Sequence, residues 1–248
     1  MLLQDKIAVV CGAAGSIGSV VAHRFAAEGA SVHLTGRHLA ALDAIADEIT
    51  ASGGTATTAV VDAHDQAAVH AHAMAMHASD GRIDVSFNAI SHGEVEGTAL
   101  VDLALEDFMR PIIAAARTHF ITATTAARFM VAQRSGVIIM LSSSAAQETR
   151  HRMGGFNLAC AGVEALTRSL AGEVGPHGVR VVALRPNLIP ETAPAMSTTD
   201  LQPLVNDTLT GRLPRLDEVA SAASFLGSDQ AGAITGAVMN LSCGAIID

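Results

Sequence analysis

The sequence predicts one α/β domain in which a seven-stranded parallel β-sheet carries helices on both faces. Short, β-branched apolar segments alternate with longer segments of helical periodicity, which is the pattern of a doubly wound parallel sheet. The length of 248 residues suits a single large domain with a substantial core. No internal repeat, low-complexity tract or interdomain linker interrupts the alternation. We therefore predict a single domain over residues 1–248.

Each element follows from its local pattern and its end signals. The predicted strands span residues 6–11, 30–35, 55–61, 83–87, 137–141, 179–184 and 237–241, and the predicted helices span 19–28, 38–52, 64–79, 105–133, 156–174 and 217–226. Pro111 lies inside the fourth helix, where a missing amide donor and a clash one turn back predict a kink or two pieces. The irregular segment 193–215, rich in Met, Leu, Thr and Pro, is predicted to be a mobile lid over a mostly apolar pocket.

Composition excludes several classes of partner. The net charge of −9 argues against a nucleic-acid backbone as a ligand. No uncharged apolar run reaches the ~18–20 residues of a membrane span, and the N-terminus has no signal-peptide pattern. The three cysteines are widely separated and odd in number, so we expect free thiols and a reducing, cytoplasmic setting. The eleven histidines show no spacing that converges with acids or cysteines into a metal site.

A glycine-rich loop follows the first strand and opens the first helix. Gly12, Gly15 and Gly18 let the backbone turn tightly and approach a phosphate, and the helix start offers free amides. Ser16 and Ile17 lie between these glycines and belong to the same predicted phosphate site. The alternative is a βα turn without a ligand, although the strand–loop–helix context favours a nucleotide.

Two motifs carry a resemblance to a known family. Gly136-Val-Ile-Ile-Met-Leu-Ser-Ser-Ser144 resembles the Gly-x-Ile-x-x-x-Ser-Ser strand of the short-chain dehydrogenases/reductases, and the glycine loop resembles their Thr-Gly-x-x-x-Gly-Ile-Gly. Cys11 stands in the Thr place of the loop and Ser16 in that of its middle Gly. The resemblance covers essentially the whole chain. It implies a Rossmann fold and a nicotinamide cofactor.

The cofactor residues are predicted partly from chemistry and partly from the resemblance. Arg37 follows the second strand where an acid would bind ribose hydroxyls, and its guanidinium can pair with a 2′-phosphate, so NADP is preferred and NAD stays possible. The resemblance adds Asp62, Ala63, Asn88 and Ala89 after the third and fourth strands, and Pro186 and Ile189 in the segment that covers the nicotinamide. Asn187 replaces a family glycine there, and asparagine's tolerance of a left-handed backbone makes this replacement plausible.

The family's reaction centre is only partly matched. The resemblance places Ser143 as the serine that polarises the substrate oxygen, but Phe156 stands in the place of the catalytic tyrosine and Cys160 in that of the lysine. Ala115 stands where the family has its relay asparagine, and the chain contains no tyrosine and one lysine, Lys6. The Cys160 thiol is either an acid or nucleophile, or a small buried residue that fills the space of the lysine, and we favour the latter.

Three functions fit this pattern. The first is an atypical NADP(H)-dependent oxidoreductase that acts on a small apolar substrate by a nonstandard proton route. The second is a catalytically inactive nucleotide-binding protein that serves as a sensor or assembly partner. The third is a non-redox isomerase or dehydratase. In each case the resemblance, together with the alanine-rich faces of residues 117–130 and 158–172, implies a homotetramer or homodimer.

Overall fold

A fully parallel seven-stranded sheet forms the centre of the computed structural model, which describes residues 1–248. The strand order is β3-β2-β1-β4-β5-β6-β7, which reverses direction between β1 and β4. The strands are β1 (Ile7–Cys11), β2 (Ser31–Gly36), β3 (Thr55–Val60), β4 (Val85–Asn88), β5 (Gly136–Leu141), β6 (Val179–Pro186) and β7 (Val238–Leu241). The helices are α1 (Ser16–Ala27), α2 (Leu39–Ala51), α3 (Gln66–Asp80), α4 (Leu105–Gln133), α5 (Phe156–Val174), α6 (Thr198–Asn206) and α7 (Leu216–Gly227).

Two apolar cores cover the two faces of the sheet. One contains α1, α2 and α7, with Phe25 edge-on to Phe87 at a centroid distance of 6.3 Å. The other contains α3, α4 and α5, where small residues such as Ala115 and Ala159 bring the helices close to each other. Because strands buried on both faces need apolar side chains on both, the central strands are nearly uninterrupted apolar runs. The predicted seven-stranded, single-domain Rossmann architecture is confirmed.

The structure departs from the sequence-based elements in two places. α4 is one continuous helix of 29 residues with Pro111 inside it, so of the two predicted alternatives, a kink or two pieces, the two pieces are wrong. The packing of this long helix on α3, α5 and the sheet offsets the lost amide donor and the steric cost of the proline. The second departure is α6, which lies inside the segment predicted to be irregular. Its capping box is formed by Ser197 and Asp200.

The carboxyl ends of β1, β4, β5 and β6 meet at one edge of the sheet. In doubly wound folds a ligand binds in the crevice at the point where the strand order reverses, here between β1 and β4. Across the chain, no helix combines the length and the apolar character that a bilayer crossing requires.

Candidate active site

The loop between β1 and α1 has the geometry of a phosphate cradle. Gly12 has a positive φ of 79°, and a Cβ added to it would lie 2.8 Å from the Ala89 carbonyl oxygen. A Cβ on Gly18 would collide with the Gly12 carbonyl oxygen. Both glycines are therefore required by close backbone approach rather than by flexibility alone.

The first turn of α1 leaves its amides free. The backbone N–H groups of Ser16, Ile17 and Gly18 have no acceptor within the chain, and the N-cap residue, Gly15, provides no side chain to bond them. Gly15 and Gly12 are bonded to each other, at 3.0 Å from N to O, which holds the loop in place. A helix start with free amides and no capping side chain fits a phosphate group.

One cavity of about 670 Å³ joins this loop to the predicted reaction centre. Its walls come from the start of α1, from the chain at and after the ends of β4, β5 and β6, from the start of α5, and from α6. The predicted residues that line it are Gly15, Ser16, Ile17, Ala89, Ser143, Phe156, Cys160, Pro186 and Ile189. These residues span 175 positions of the chain, from Gly15 to Ile189, so the fold brings them together.

The remaining predicted cofactor residues lie around this cavity rather than in its wall. Arg37 and Asp62 are exposed beyond the ends of β2 and β3, and the Asp62 carboxylate accepts a hydrogen bond from the His64 amide at 3.0 Å. Ala63 is buried and lines a separate small cavity of about 30 Å³. Asn88 is buried at the end of β4. Its side chain donates to Thr122 Oγ1 at 3.0 Å and accepts from the Ile90 amide at 2.9 Å.

Ser143, Phe156 and Cys160 lie together at the far end of the cavity. Ser143 is half-buried, and its hydroxyl accepts from the Ala145 amide at 3.3 Å. Cys160 is fully buried. Burial raises the pKa of its thiol far above the usual range, as do the charges of Glu94 and Glu164, so no thiolate forms at neutral pH. Between the two alternatives for this residue, the structure favours a small buried residue over a nucleophile.

Two buried histidines, His92 and His119, lie near Phe156. His92 lines the cavity, with its ring centroid 5.8 Å from that of Phe156 and 5.6 Å from that of His119. His92 Nδ1 and both ring nitrogens of His119 have no hydrogen-bond partner. Burial lowers the pKa of His92 to about 4, and burial together with the His92 charge lowers the pKa of His119 to about 3. Both rings are therefore neutral at physiological pH, and neither is a proton donor of useful strength.

A buried ion pair supports the wall from beneath and was not found from the sequence. Arg185, at the end of β6, donates to both oxygens of Glu164, with Nε–Oε1 at 2.7 Å and Nη2–Oε2 at 2.8 Å. The Ser142 hydroxyl donates to the same carboxylate at 2.9 Å, and Arg185 also bonds the Asp248 carboxylate. The network ties α5, β5 and β6 together. The sequence does contain one sign of this pair. Glu164 lies one helical turn after Cys160, on the face of the predicted helix that carries Phe156.

Acidic side chains also line the substrate end of the cavity. Four carboxylates line the cavity, and no lysine or arginine does. They are Glu94, Glu96, Glu148 and Asp200. Burial and the neighbouring Glu94 charge raise the pKa of Glu96, while hydrogen bonds from Ser197 lower the pKa of Asp200. The expectation of a mostly apolar pocket therefore holds for the walls near Leu188 and not for this end.

Asn187 does not need the left-handed backbone that a glycine would allow here. Its φ is not positive. Instead its side-chain oxygen accepts from the Leu188 amide at 2.8 Å and from the Ser144 hydroxyl at 3.1 Å. Asparagine holds this turn through its side chain, which glycine could not do.

The family model described as "Enoyl-(Acyl carrier protein) reductase" matches residues 12–245, nearly the whole chain. The chain belongs to the short-chain dehydrogenase/reductase family. It is 34% identical over 251 residues to the (5R,7aS)-5-hydroxy-7a-methyl-1-oxo-2,3,5,6,7,7a-hexahydro-1H-indene-carboxyl-CoA reductase of Mycobacterium tuberculosis, a match that covers 98% of this chain and 94% of that protein. It is 30% identical to the D-threitol dehydrogenase of Mycolicibacterium smegmatis, over 99% of this chain and 94% of that protein.

Solved structures of the short-chain dehydrogenases/reductases have the same architecture. A 7α-hydroxysteroid dehydrogenase complexed with NADH and 7-oxo glycochenodeoxycholic acid superposes with a TM-score of 0.90 at 27% identity, covering 99% of this chain and 96% of that one. The prediction of an NAD(P)-dependent oxidoreductase is confirmed at the level of the family. The relatives act on chemically unlike compounds, a bicyclic CoA thioester, a polyol and a steroid, so similarity does not select a substrate.

Proposed function

We propose that the protein is an NADP(H)-dependent oxidoreductase that acts on an already activated double bond and does not use the family's tyrosine–lysine proton relay. One observation supports this most strongly. A single cavity contains an intact phosphate cradle at one end and, at the other, a reaction centre in which Phe156 and Cys160 replace the relay. The chain has no tyrosine that could be recruited, and its single lysine, Lys6, pairs with Asp229 at 2.8 Å.

The cofactor site is assigned to the residues around the carboxyl edge of the sheet. The free amides of Ser16, Ile17 and Gly18 hold the pyrophosphate, and Arg37 pairs with the 2′-phosphate that distinguishes NADP from NAD. Asp62, Ala63, Asn88 and Ala89 hold the adenosine side and its ribose, and Pro186 and Ile189 cover the nicotinamide. When bound there, a reduced nicotinamide supplies a hydride to the substrate carbon.

The residues around the substrate restrict which bonds can react. Ser143 can donate a hydrogen bond that polarises a substrate atom, but an aliphatic hydroxyl without a neighbouring base is a weak acid. Cys160 and His92 are held neutral by burial, so they do not replace the tyrosine. Positioned proton transfer contributes ~10²–10⁴-fold in rate, so an ordinary ketone should react slowly here. An activated C=C or C=N bond requires less help from a proton donor.

We also propose a substrate lid and an oligomeric assembly. Residues 193–215 act as the substrate lid, and their helix α6 contributes Asp200, Pro203 and Leu204 to the cavity wall. Homotypic packing of α4 and α5 into a dimer or tetramer is supported by exposed apolar side chains on these helices, Phe120 at 52% and Leu158 at 53% exposure. All three cysteines are free, which suits a reducing compartment such as the cytoplasm.

The experiment measures NADPH oxidation with a plain ketone, cyclohexanone, and an activated alkene, 2-cyclohexenone, together with cyclic imines and quinones. We expect consumption with members of the activated set and not with cyclohexanone. The double variant Phe156→Tyr/Cys160→Lys should gain ketone reduction, and Phe156→Tyr alone serves as its control. If the wild type reduces cyclohexanone as fast as any activated substrate, the proposal is wrong. If NADPH binds but nothing in the panel is turned over, the inactive nucleotide-binding function replaces it.

A further inference from the structure

We propose that the Asn187 side chain, together with the Ser143 hydroxyl, donates a hydrogen bond to a carbonyl oxygen of the substrate. The activated double bond is then a C=C bond conjugated with that carbonyl group. This inference rests on the proposed function and names its substrate class. It is supported by the hydrogen bonds that fix the Asn187 amide and by the two free donors that these bonds leave in the cavity wall.

The Asn187 amide has a fixed orientation. Its Oδ1 atom accepts from the Leu188 backbone amide at 2.8 Å and from the Ser144 hydroxyl at 3.1 Å. Because a backbone N–H can only donate, the atom that it meets must be the amide oxygen, so the other terminal atom is the NH₂ group. The Ser144 side chain is buried, which protects the second bond from competing water. Asn187 therefore cannot turn its amide around without losing both bonds.

The NH₂ group of Asn187 is a free donor that reaches open space. It has no hydrogen-bond partner in the chain, and it is not among the polar atoms that the protein shields from solvent. Asn187 is half-buried and lines the large cavity, so its N–H groups face the space that a substrate would occupy. The glycine that the family has at this place has no side chain to donate. The donor is thus a property of this chain.

Ser143 has a second free donor. The end of β5 is followed by three consecutive serines, and the hydroxyls of Ser142 and Ser144 donate to side chains of the protein. The Ser143 hydroxyl accepts from the Ala145 amide at 3.3 Å and donates to no group of the chain, so its proton is available. Ser143 lines the same cavity as Asn187.

The two donors come from adjacent strand ends. β5 and β6 are paired in parallel, with Leu141 opposite Leu184. Ser143 follows the first of these by two residues and Asn187 follows the second by three, and the bond from Ser144 to Asn187 joins the two ends. No lysine or arginine lines the cavity, so neutral donors of this kind are what its wall offers to a developing negative charge.

Two donors directed at one oxygen suit the reduction of a conjugated C=C bond. The substrate accepts two electrons and one hydrogen at its β-carbon and forms a C–H bond there, with NADPH as the reductant. The C=C π pair moves to the bond between the α-carbon and the carbonyl carbon, and the C=O π pair moves onto oxygen as an enolate. Ser143 and Asn187 stabilise this charge. Water then gives a proton to the α-carbon, which leaves hydroxide, the saturated carbonyl compound and NADP⁺.

The test is the substitution Asn187→Asp. It keeps an oxygen acceptor for Leu188 and Ser144 and replaces only the free NH₂ group by a second oxygen. With NADPH and 2-cyclohexenone, kcat should fall by ~10²–10³-fold and KM should change less, because oxyanion donors act most strongly in the transition state. Asn187→Gly, which introduces the family's residue without a charge, should show a loss in the same direction.

Gln230→Glu controls for the added negative charge. Gln230 is exposed and lies two residues after Ser228. The Ser228 carbonyl accepts from Arg180 near the start of β6, at the edge of the sheet opposite the cavity. This variant should have the wild-type kcat and KM. The Tm and the affinity for NADP⁺ should equal those of the wild type in Asn187→Asp and Gln230→Glu.

Infrared difference spectra measure the hydrogen bonds without turnover. The ligand is 2-cyclohexenone, bound to the protein that is saturated with NADP⁺. Each hydrogen bond to a carbonyl oxygen lowers its C=O stretching frequency. We therefore expect a higher frequency in Asn187→Asp and Asn187→Gly than in the wild type and Gln230→Glu.

The outcomes separate this inference from the proposed function. If the Asn187 variants match the wild type in kcat and in C=O frequency, the inference is overturned, and their reduction of 2-cyclohexenone leaves the proposed function intact. If they lose affinity for NADP⁺ while the C=O frequency is unchanged, the free amide meets the carboxamide of the cofactor and the inference is again overturned.

Two results with the wild type are also decisive. If NADP⁺ binds but 2-cyclohexenone neither binds nor reacts, the inference fails, whereas reduction of a cyclic imine by the same protein preserves the proposed function. If NADP⁺ does not bind at all, the proposed function fails and the inference fails with it.

Discussion

Replacing Arg185 with methionine should destabilise the protein strongly, because it leaves the buried Glu164 carboxylate without a positively charged partner. Arg185 and Glu164 side chains are 3% and 7% exposed, and their two hydrogen bonds measure 2.7 Å and 2.8 Å. Removing one member of such a pair costs ~3–5 kcal/mol, whereas replacing both by apolar side chains of similar size is often neutral. For a domain of this size, that corresponds to a fall in Tm of ~6–20 °C.

The surface provides a matched control. Arg212 also makes two hydrogen bonds to a glutamate, Glu218, at 2.8 Å and 2.6 Å, but its side chain is 51% exposed. Scanning calorimetry should show a large fall in Tm for Arg185→Met and only a small one for Arg212→Met, because an exposed ion pair is screened by solvent. The double variant Arg185→Met/Glu164→Leu should recover much of the Tm that Arg185→Met loses. If Arg185→Met and Arg212→Met shift Tm equally, or if the double variant is no better than the single one, the assigned role of the buried pair is incorrect.

Three further predictions concern the loop, the histidines and the assembly. Gly18→Ala should weaken NADPH binding by more than tenfold in a fluorescence titration, because the new Cβ collides with the Gly12 carbonyl oxygen. The control is Gly15→Ala, whose Cβ lies 3.4 Å from the same oxygen and which should fold normally. If the two variants fold and bind NADPH equally well, the prediction is wrong. In the folded protein the pKa is about 4 for His92 and about 3 for His119, below the ordinary 6.5. Below pH 6.5 the unfolded chain therefore binds more protons than the folded protein. The free energy of unfolding should fall as the pH drops from 6.5 towards 4. The free energy of unfolding should fall by up to ~1.4 kcal/mol per pH unit for each ring. His119→Leu should reduce this pH dependence, whereas the control His77→Gln, which replaces an exposed histidine, should not. Phe120→Asp or Leu158→Asp should dissociate the oligomer into monomers, as measured by light scattering. The control Leu39→Asp, which replaces an exposed leucine on α2, should not. A monomeric wild type would refute the interface.

Most of the fold could be predicted from the sequence because local patterns determine it. Alternation of apolar strands with periodic helices gave all seven strands and six of the seven helices, and α5 was predicted with its observed bounds, Phe156–Val174. The missed helix, α6, is short and contains Pro203, and its start is marked only by the Ser197 capping box. The continuity of α4 through Pro111 depends on tertiary packing, which no local rule includes.

The candidate site was predictable where it depends on backbone geometry or on motif position. The glycine loop, Ser143, Phe156 and Cys160 all reach one cavity, as their order after parallel strands implies. The acidic end was not predictable, because Glu94 and Glu96 come from an irregular segment whose path across the site is set by the rest of the fold. The neutral state of His119 likewise follows from complete burial, which a single sequence does not reveal.

The most direct test of the account is a titration of NADPH and NADH against cofactor fluorescence, with wild-type protein, Arg37→Ala and Arg24→Ala. Arg24 lies at the opposite end of α1 and controls for loss of a positive charge. We predict saturable binding of NADPH, weaker binding of NADH, and a loss of the preference for NADPH in Arg37→Ala only. Failure of the wild type to bind either dinucleotide would contradict the central claim that the cavity is a nicotinamide cofactor site.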